Sequence, residues 1–150
     1  MRWLLFWVIV LPVLGEFRTM AVRFEGIGCA SCVESLPGRM KRMRGVETAE
    51  VDAGQGVLKL TLGENNRVKV EQVRDAIEQD GTKAKSAVVE VRGQIEKEDG
   101  RWVLRVGPGA VYELRGERLA AGRAVVSGEA MQLRPGEGMI VIEARQVRAE

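Results

Sequence analysis

The chain has 150 residues, of which 45% are hydrophobic, 29% charged and 5% aromatic, and its formal net charge is +2. This length allows one ordinary domain or two small ones, and the composition is that of a folded protein. A near-balanced charge disfavours a nucleic-acid partner, which normally meets a clear basic excess. The sequence contains no histidine, which excludes Ser-His-Asp triads and histidine-ligated zinc sites.

The amino terminus is typical of a secretory signal peptide. Arg2 is followed by twelve apolar residues that end just before Gly15, and such a run is too short for a bilayer-spanning helix of about 20 residues. We therefore predict a signal peptide over residues 1–15, a short leader over residues 16–19, export to the bacterial periplasm and no stable membrane span after cleavage. If Met20 is the true start instead, the protein is cytoplasmic.

Residues 20–87 alternate between strand and helix patterns. Period-two alternation predicts strands, and apolar residues at intervals of three and four predict helices. The order strand, helix, strand, strand, helix, strand predicts an open-faced sandwich in which both helices cover one face of a four-stranded sheet. The elements are a strand over 21–24, a helix after the sequence CASC, strands over 46–51 and 57–62, a helix over 69–79 and a strand from Thr82.

The first of these helices carries conflicting signals. Ser31 and Glu34 form the S-x-x-E pattern of a capping box. Pro37 lies six positions into the helix, where a proline removes a backbone hydrogen bond and costs about 3 kcal/mol. Either the first turn is distorted or the regular helix begins near Ser35. The predicted buried stripe consists of Val33, Leu36, Met40 and Met43, which makes both methionines core residues rather than thioether ligands.

From residue 88 the pattern changes to short strands separated by glycine turns. Five strands in about 63 residues predict a small closed barrel, because closure removes the exposed edges that a meander would leave. No polar linker separates the halves, so we expect the last strand of the first half to run almost directly into the second. Trp102 and Tyr112 form either a stacking platform for a base or sugar, or part of the barrel core.

The chain's two cysteines, Cys29 and Cys32, lie between a predicted strand and a predicted helix. A helix amino terminus favours negative charge and lowers the pKa of a thiol placed there. Thiolates are soft ligands that prefer Cu(I) and other d10 ions, and two ligands leave tetrahedral zinc unsaturated. The pair predicts a soft-metal site or, in an oxidising compartment, a thiol–disulfide pair.

Residues 20–87 resemble the heavy-metal-associated domain of copper chaperones, metal-transporting ATPase amino termini and periplasmic mercury-binding proteins. The likeness rests on GIGCASC, CVESL, RGVETAEVD and VEQVRDAIEQDGTKAK. It implies a ferredoxin-like βαββαβ fold, no enzymatic activity, and one metal ion held between Cys29 and Cys32. Cu(I) is the expected ion, and Ag(I), Hg(II) and Zn(II) are the alternatives.

Three positions depart from the family's usual pattern. Ile27 replaces a methionine that generally packs beneath the metal loop. Gly28 offers no carboxylate where some zinc-preferring relatives have aspartate, which favours soft ions. Thr82 replaces a larger shielding residue, so we expect a more open site, with Lys83 as a candidate to offset the charge of a bis-thiolate complex.

The resemblance implies a protein that buffers or relays the ion by thiolate exchange with a metal-donor or metal-acceptor protein. Four cations form either a docking surface for an acidic partner or a solvated helix face; they are Arg39, Lys41, Arg42 and Arg44. The alternative functions are an exported thiol–disulfide redox protein that uses CASC, and an interaction protein with a vestigial metal site.

The second half, residues 88–150, more loosely resembles small OB-like (oligonucleotide/oligosaccharide-binding) barrels of exported bacterial proteins, through GRWVLRV, YELRG and AVVSGEAM. We expect it to serve as a docking module, since that fold hosts many functions and implies no ligand. The predicted fold class is therefore α+β: a ferredoxin-like domain followed by a small all-β, OB-like barrel.

Overall fold

The computed structural model describes residues 15–25, 30–107, 109–136 and 138–150. The predicted signal peptide, apart from Gly15, lies outside the described residues. Within the described part, no helix is long and apolar enough to cross a membrane. The elements in chain order are β1 (Glu16–Glu25), α1 (Ala30–Glu34), α2 (Leu36–Lys41), β2 (Val46–Asp52), β3 (Val57–Leu62), α3 (Val70–Glu78), β4 (Lys83–Glu98), β5 (Arg101–Gly107), β6 (Ala110–Arg115), β7 (Gly122–Ala130) and β8 (Val141–Ala149).

The first half is the predicted open-faced sandwich. Its strands lie in the order β2-β3-β1-β4, and all three neighbouring pairs are antiparallel. Helix α2 packs against β2 and α3, and α3 also packs against β4. The alternating residues Leu58, Leu60 and Leu62 of β3 are all buried. This arrangement confirms the predicted ferredoxin-like βαββαβ order.

Strand β1 begins at Glu16, four residues before the predicted start of the domain. Phe17 is fully buried and pairs with Val91 of β4, and Gly15 lies too close to the Arg92 carbonyl oxygen for any side chain to fit. The expectation that residues 16–19 form a short leader is therefore wrong. These residues are part of the sheet because β4 continues past the sandwich and offers them backbone partners.

The helix after CASC is split at Ser35 into α1 and α2. Pro37 is the second residue of α2, in the first turn, where its missing N–H needs no helical partner. The alternative in which the regular helix begins near Ser35 is thus confirmed. Ser31 lies inside α1 rather than before it, so the predicted capping box with Glu34 is wrong.

Five strands of the second half close into a ring. β4 pairs with β5, β5 with β6, β8 with β7, and β7 again with β4, all antiparallel. The pair β6–β8 is parallel. Closure matters physically because it gives each strand of the ring a neighbour on both sides.

Strand β4 belongs to both halves of the molecule. Along one edge it pairs with β1 over 83–92 and then with β5 over 94–98, while β7 pairs over 87–95. At the change of partner, a side chain on Gly93 would approach the Arg105 carbonyl oxygen to 2.8 Å. The predicted boundary between residues 87 and 88 therefore falls inside a strand, and one eight-stranded sheet runs through both halves.

Tyr112 on β6 joins the ring to the first half. Its side chain is fully buried, and its hydroxyl accepts a hydrogen bond from the Val70 N–H at 3.3 Å and donates one to Glu71 at 3.0 Å. Its ring meets Phe17 edge to face, with centroids 5.5 Å apart. Tyr112 is thus a core residue, and Trp102 is partly buried against the same core, so the stacking-platform hypothesis is wrong for Tyr112.

Candidate metal centre

The CASC motif overlaps the start of α1, because its last three residues are the first three residues of that helix. Cys32 is the third residue of α1 and is partly exposed. The other predicted ligand, Cys29, lies outside the described residues, as do Ile27 and Gly28. Cys32 is disulfide-bonded, and a thiolate site therefore requires that this bond first be reduced.

A chain of hydrogen bonds runs from Cys32 to the end of α3. The Ser35 hydroxyl donates to the Cys32 carbonyl oxygen at 2.8 Å, and Arg39 Nη2 donates to the Ser35 hydroxyl at 3.3 Å. The same guanidinium donates to the Ala76 carbonyl oxygen at 2.8 Å and to Asp80 Oδ2 at 3.2 Å. Arg39 therefore holds the motif-bearing segment against α3 and is not part of a free docking surface.

Asp80 and Thr82 complete this chain on the turn between α3 and β4. The Thr82 N–H donates to Asp80 Oδ1 at 3.1 Å. Burial raises the pKa of Asp80, but hydrogen bonds from Thr82 and Arg39 outweigh it and lower the pKa below its ordinary value of 3.8. Thr82 itself is buried. Lys83, the first residue of β4, is exposed, and its electrostatic role remains a prediction.

The hydrogen bonds that join Ser35, Arg39 and Asp80 were not predicted from the sequence. Ser35 and Arg39 are four residues apart, a spacing that places side chains on one helix face. Asp80 lies 41 residues beyond Arg39. The spacing of apolar and polar residues within one helix cannot predict a contact between residues that far apart in sequence. The three remaining cations of the predicted docking surface are exposed; they are Lys41, Arg42 and Arg44.

Replacing Asp80 with asparagine is expected to lower the free energy of unfolding at pH 7 by about 1 kcal/mol, because Arg39 loses its ionic partner. The lowered pKa of Asp80 means that this contribution is fully present above pH 3.8 and is lost as the pH falls through the lower folded-state value. Urea unfolding across this range measures the difference between wild type and variant. We expect that difference to shrink in acid.

Glu98→Gln is the matched control for this prediction. Glu98 pairs with Arg105 at 2.9 Å, but both side chains are about half exposed, so the change should stay within about 0.5 kcal/mol. If both variants lose the same free energy of unfolding, the Arg39–Asp80 pair stabilises the fold no more than an exposed ion pair does.

Comparison with known proteins places this site in context. No family model matches the chain. The chain is 35% identical over 60 residues to the copper chaperone CopZ of Staphylococcus haemolyticus, in an alignment that covers 40% of this chain and 87% of that protein. It is 36% identical over 64 residues to an uncharacterized protein of Haemophilus influenzae, with 43% of this chain and 91% of that protein covered.

Similar solved structures cover a slightly larger share of the chain. A CopZ metallochaperone is 26% identical with a TM-score of 0.40, and the match covers 44% of this chain and 97% of that one. A copper binding domain from HMA7, a P-type ATPase, is 28% identical with a TM-score of 0.40, and covers 48% and 92%. The sequence match covers most of the length of CopZ. This chain therefore belongs to the family of the copper chaperone CopZ, and a heavy-metal-associated-like domain makes up about half of it.

Proposed function

We propose that this protein is a non-enzymatic carrier that holds one Cu(I) ion between Cys29 and Cys32 and buffers or relays it. The observation that carries the proposal is the CASC motif at the start of α1, in a domain related to CopZ. Two thiolates suit a soft, low-coordinate ion, and the chain has no histidine to complete a tetrahedral zinc site. Ag(I), Hg(II) and Zn(II) are secondary candidates for the same pair.

The exposure of the motif supports transfer by ligand exchange. Cys32 is partly exposed and its neighbour Ser31 is exposed, so a partner's thiolate can reach a bound ion without unfolding of the domain. A third thiolate adds to the ion, one of the original thiolates then leaves, and no net oxidation or reduction takes place. The partner is a metal-donor or metal-acceptor protein, and the exposed cations Lys41, Arg42 and Arg44 suit an acidic surface on it.

The barrel serves as a docking module in this proposal. Its strand order β4-β5-β6-β8-β7, closed by the β4–β7 pair and with a parallel β6–β8 pair, supports assignment as a five-stranded OB-like barrel. Export to the bacterial periplasm remains part of the proposal and rests on the apolar amino-terminal run.

A second candidate is thiol–disulfide exchange, which the disulfide-bonded form of Cys32 supports. The two functions make opposite demands on the cysteines. Cu(I) binding needs both thiolates reduced, whereas an exchange protein cycles through the disulfide. The potential of the pair and its activity towards a disulfide substrate therefore separate the candidates.

Anaerobic titration of the reduced chain with Cu(I), against a strong competing chelator and read by native mass spectrometry, tests the proposal. We expect one Cu(I) per reduced chain and none on the oxidised chain under the same competition. If the reduced chain loses all of its Cu(I) to the chelator, the proposed function is contradicted. If that chain also reduces a disulfide substrate, the second candidate takes its place.

A further inference from the structure

Met131 and Met139 line one surface cleft at the base of the β7–β8 loop. The cleft has a volume of about 200 Å³, and its other lining residues include Arg115, Val141 and Glu143. Met131 is 57% exposed, one of two large hydrophobic side chains that are exposed in the described part of the chain. By contrast, the core methionines Met20 and Met40 are at most 1% exposed.

The strands on either side of the loop explain why both methionines line the same cleft. β7 ends at Ala130 and β8 begins at Val141, and Glu129 pairs with Glu143 just inside the ladder. The register extrapolated two residues past the last observed pair would put Met131 opposite Val141, with Met139 as its diagonal neighbour. Diagonal side chains on one face of a strand pair lie within reach when they are long and unbranched.

Two residues of this loop, Leu133 and Arg134, contact helix α3 of the first half. Leu133 is 1% exposed, and its carbonyl oxygen accepts a hydrogen bond of 2.7 Å from Arg74 of α3. Arg134 forms an ion pair of 2.8 Å with Glu78 of the same helix. The loop is therefore held to the first half of the molecule two and three residues after Met131, which limits the entropy lost when Met131 binds a ligand.

The chemistry of the cleft fits a soft monovalent cation. Thioethers are soft ligands that select Cu(I) and related d10 ions, and Glu143, which also lines the cleft, contributes a negatively charged side chain. Arg115 lies in the same cleft, where Glu113 binds its guanidinium at 3.4 Å. A thioether forms no disulfide, so the methionine pair remains able to bind when Cys32 is disulfide-bonded.

We propose that Met131 and Met139 form a second, weaker site for a soft d10 monovalent cation, Cu(I) or Ag(I), on the barrel. The role of this site in relaying copper rests on the proposed function. Its ability to bind the cation does not depend on the cysteines. It would let the barrel retain the ion while the CASC pair is oxidised.

Titration of the oxidised full-length chain with Ag(I), with the methionine methyl groups labelled with ¹³C, tests this site by NMR. Ag(I) is the probe because it is redox-stable and d10. We expect the methyl resonances of Met131 and Met139 to shift together and to saturate at one Ag(I) per chain. The resonances of the buried Met20 and Met40 should stay in place, and they report that the fold is intact.

The double variant Met131→Leu and Met139→Leu should lower the Ag(I) affinity of the oxidised chain at least about tenfold, because leucine keeps the volume but supplies no sulfur. Met43→Leu, which removes a partly buried sulfur from the first half, is the matched control and should leave that affinity unchanged. Unchanged affinity in the double variant, or a shift at only one of the two methyl groups, overturns the proposal. Neither result bears on Cu(I) binding by the reduced chain, so the two proposals fail separately.

Discussion

Replacing Cys32 with serine is expected to lower the Cu(I) affinity of the reduced chain by more than about 100-fold. Loss of an outer-shell partner of a metal site already costs about 10- to 100-fold, and Cys32 is one of only two cysteines in the chain. The serine hydroxyl is a hard, protonated group at neutral pH and does not replace a thiolate towards a soft ion. Anaerobic competition with a Cu(I) chelator measures the change.

Two comparisons make this prediction specific to the motif. Cys29→Ser should produce a loss of similar size, because either change leaves one thiolate. Met40→Leu removes a fully buried sulfur from α2 and conserves volume, so it should leave the Cu(I) affinity within about twofold. Retention of full affinity in both single cysteine variants would refute the assignment of the cysteine pair as the Cu(I) site.

Phe17→Ala is expected to lower the free energy of unfolding by about 3–5 kcal/mol, the range for truncating a fully buried phenylalanine. Phe17 is 0% exposed, and its ring lies 5.5 Å from that of Tyr112. Since β1 and β6 belong to different halves, the cavity should weaken both halves together. Urea unfolding gives the total, and amide hydrogen exchange in β3 and β5 shows whether the two halves lose protection in parallel.

Tyr112→Phe and Val88→Ala calibrate this result. Tyr112→Phe keeps the ring and removes the hydroxyl that hydrogen-bonds the Val70 N–H and the Glu71 carboxylate. We therefore expect a smaller loss of unfolding free energy, about 1–2 kcal/mol. Val88 is 47% exposed, and its truncation should cost less than about 0.5 kcal/mol. Loss of protection in only one half of the Phe17 variant would show that the halves unfold independently.

The local pattern of the sequence was enough to predict the elements of the first half and the location of its motif. The alternation of Leu58, Leu60 and Leu62 predicts a strand with one buried face, and the structure buries all three. Apolar spacing over 69–79 predicts the helix observed as α3. These features depend on side-chain period and turn residues within a few positions of each other, and a single sequence carries that information directly.

The extension of β1 and the contacts of Arg39 were decided by tertiary structure alone. The residues Glu16–Thr19 become strand because β4 runs on into the barrel and pairs with them. Arg39 has the pattern of a solvated cation, yet it pairs with Asp80 on the turn after α3. Periodicity indicates which face of an element is buried, but which distant group covers that face follows from strand register and helix packing.

The same reason separates what was predictable in the second half from what was not. Short strands and glycine turns predict an all-β unit, and five strands are observed in it. The closing β4–β7 pair and the parallel β6–β8 pair depend on segments that lie far apart in sequence, and so does the contribution of Arg115 to the cleft of Met131 and Met139. The sequence alone therefore determined the elements and the thiol motif, whereas the tertiary structure decided how the halves share one sheet and which side chains face solvent.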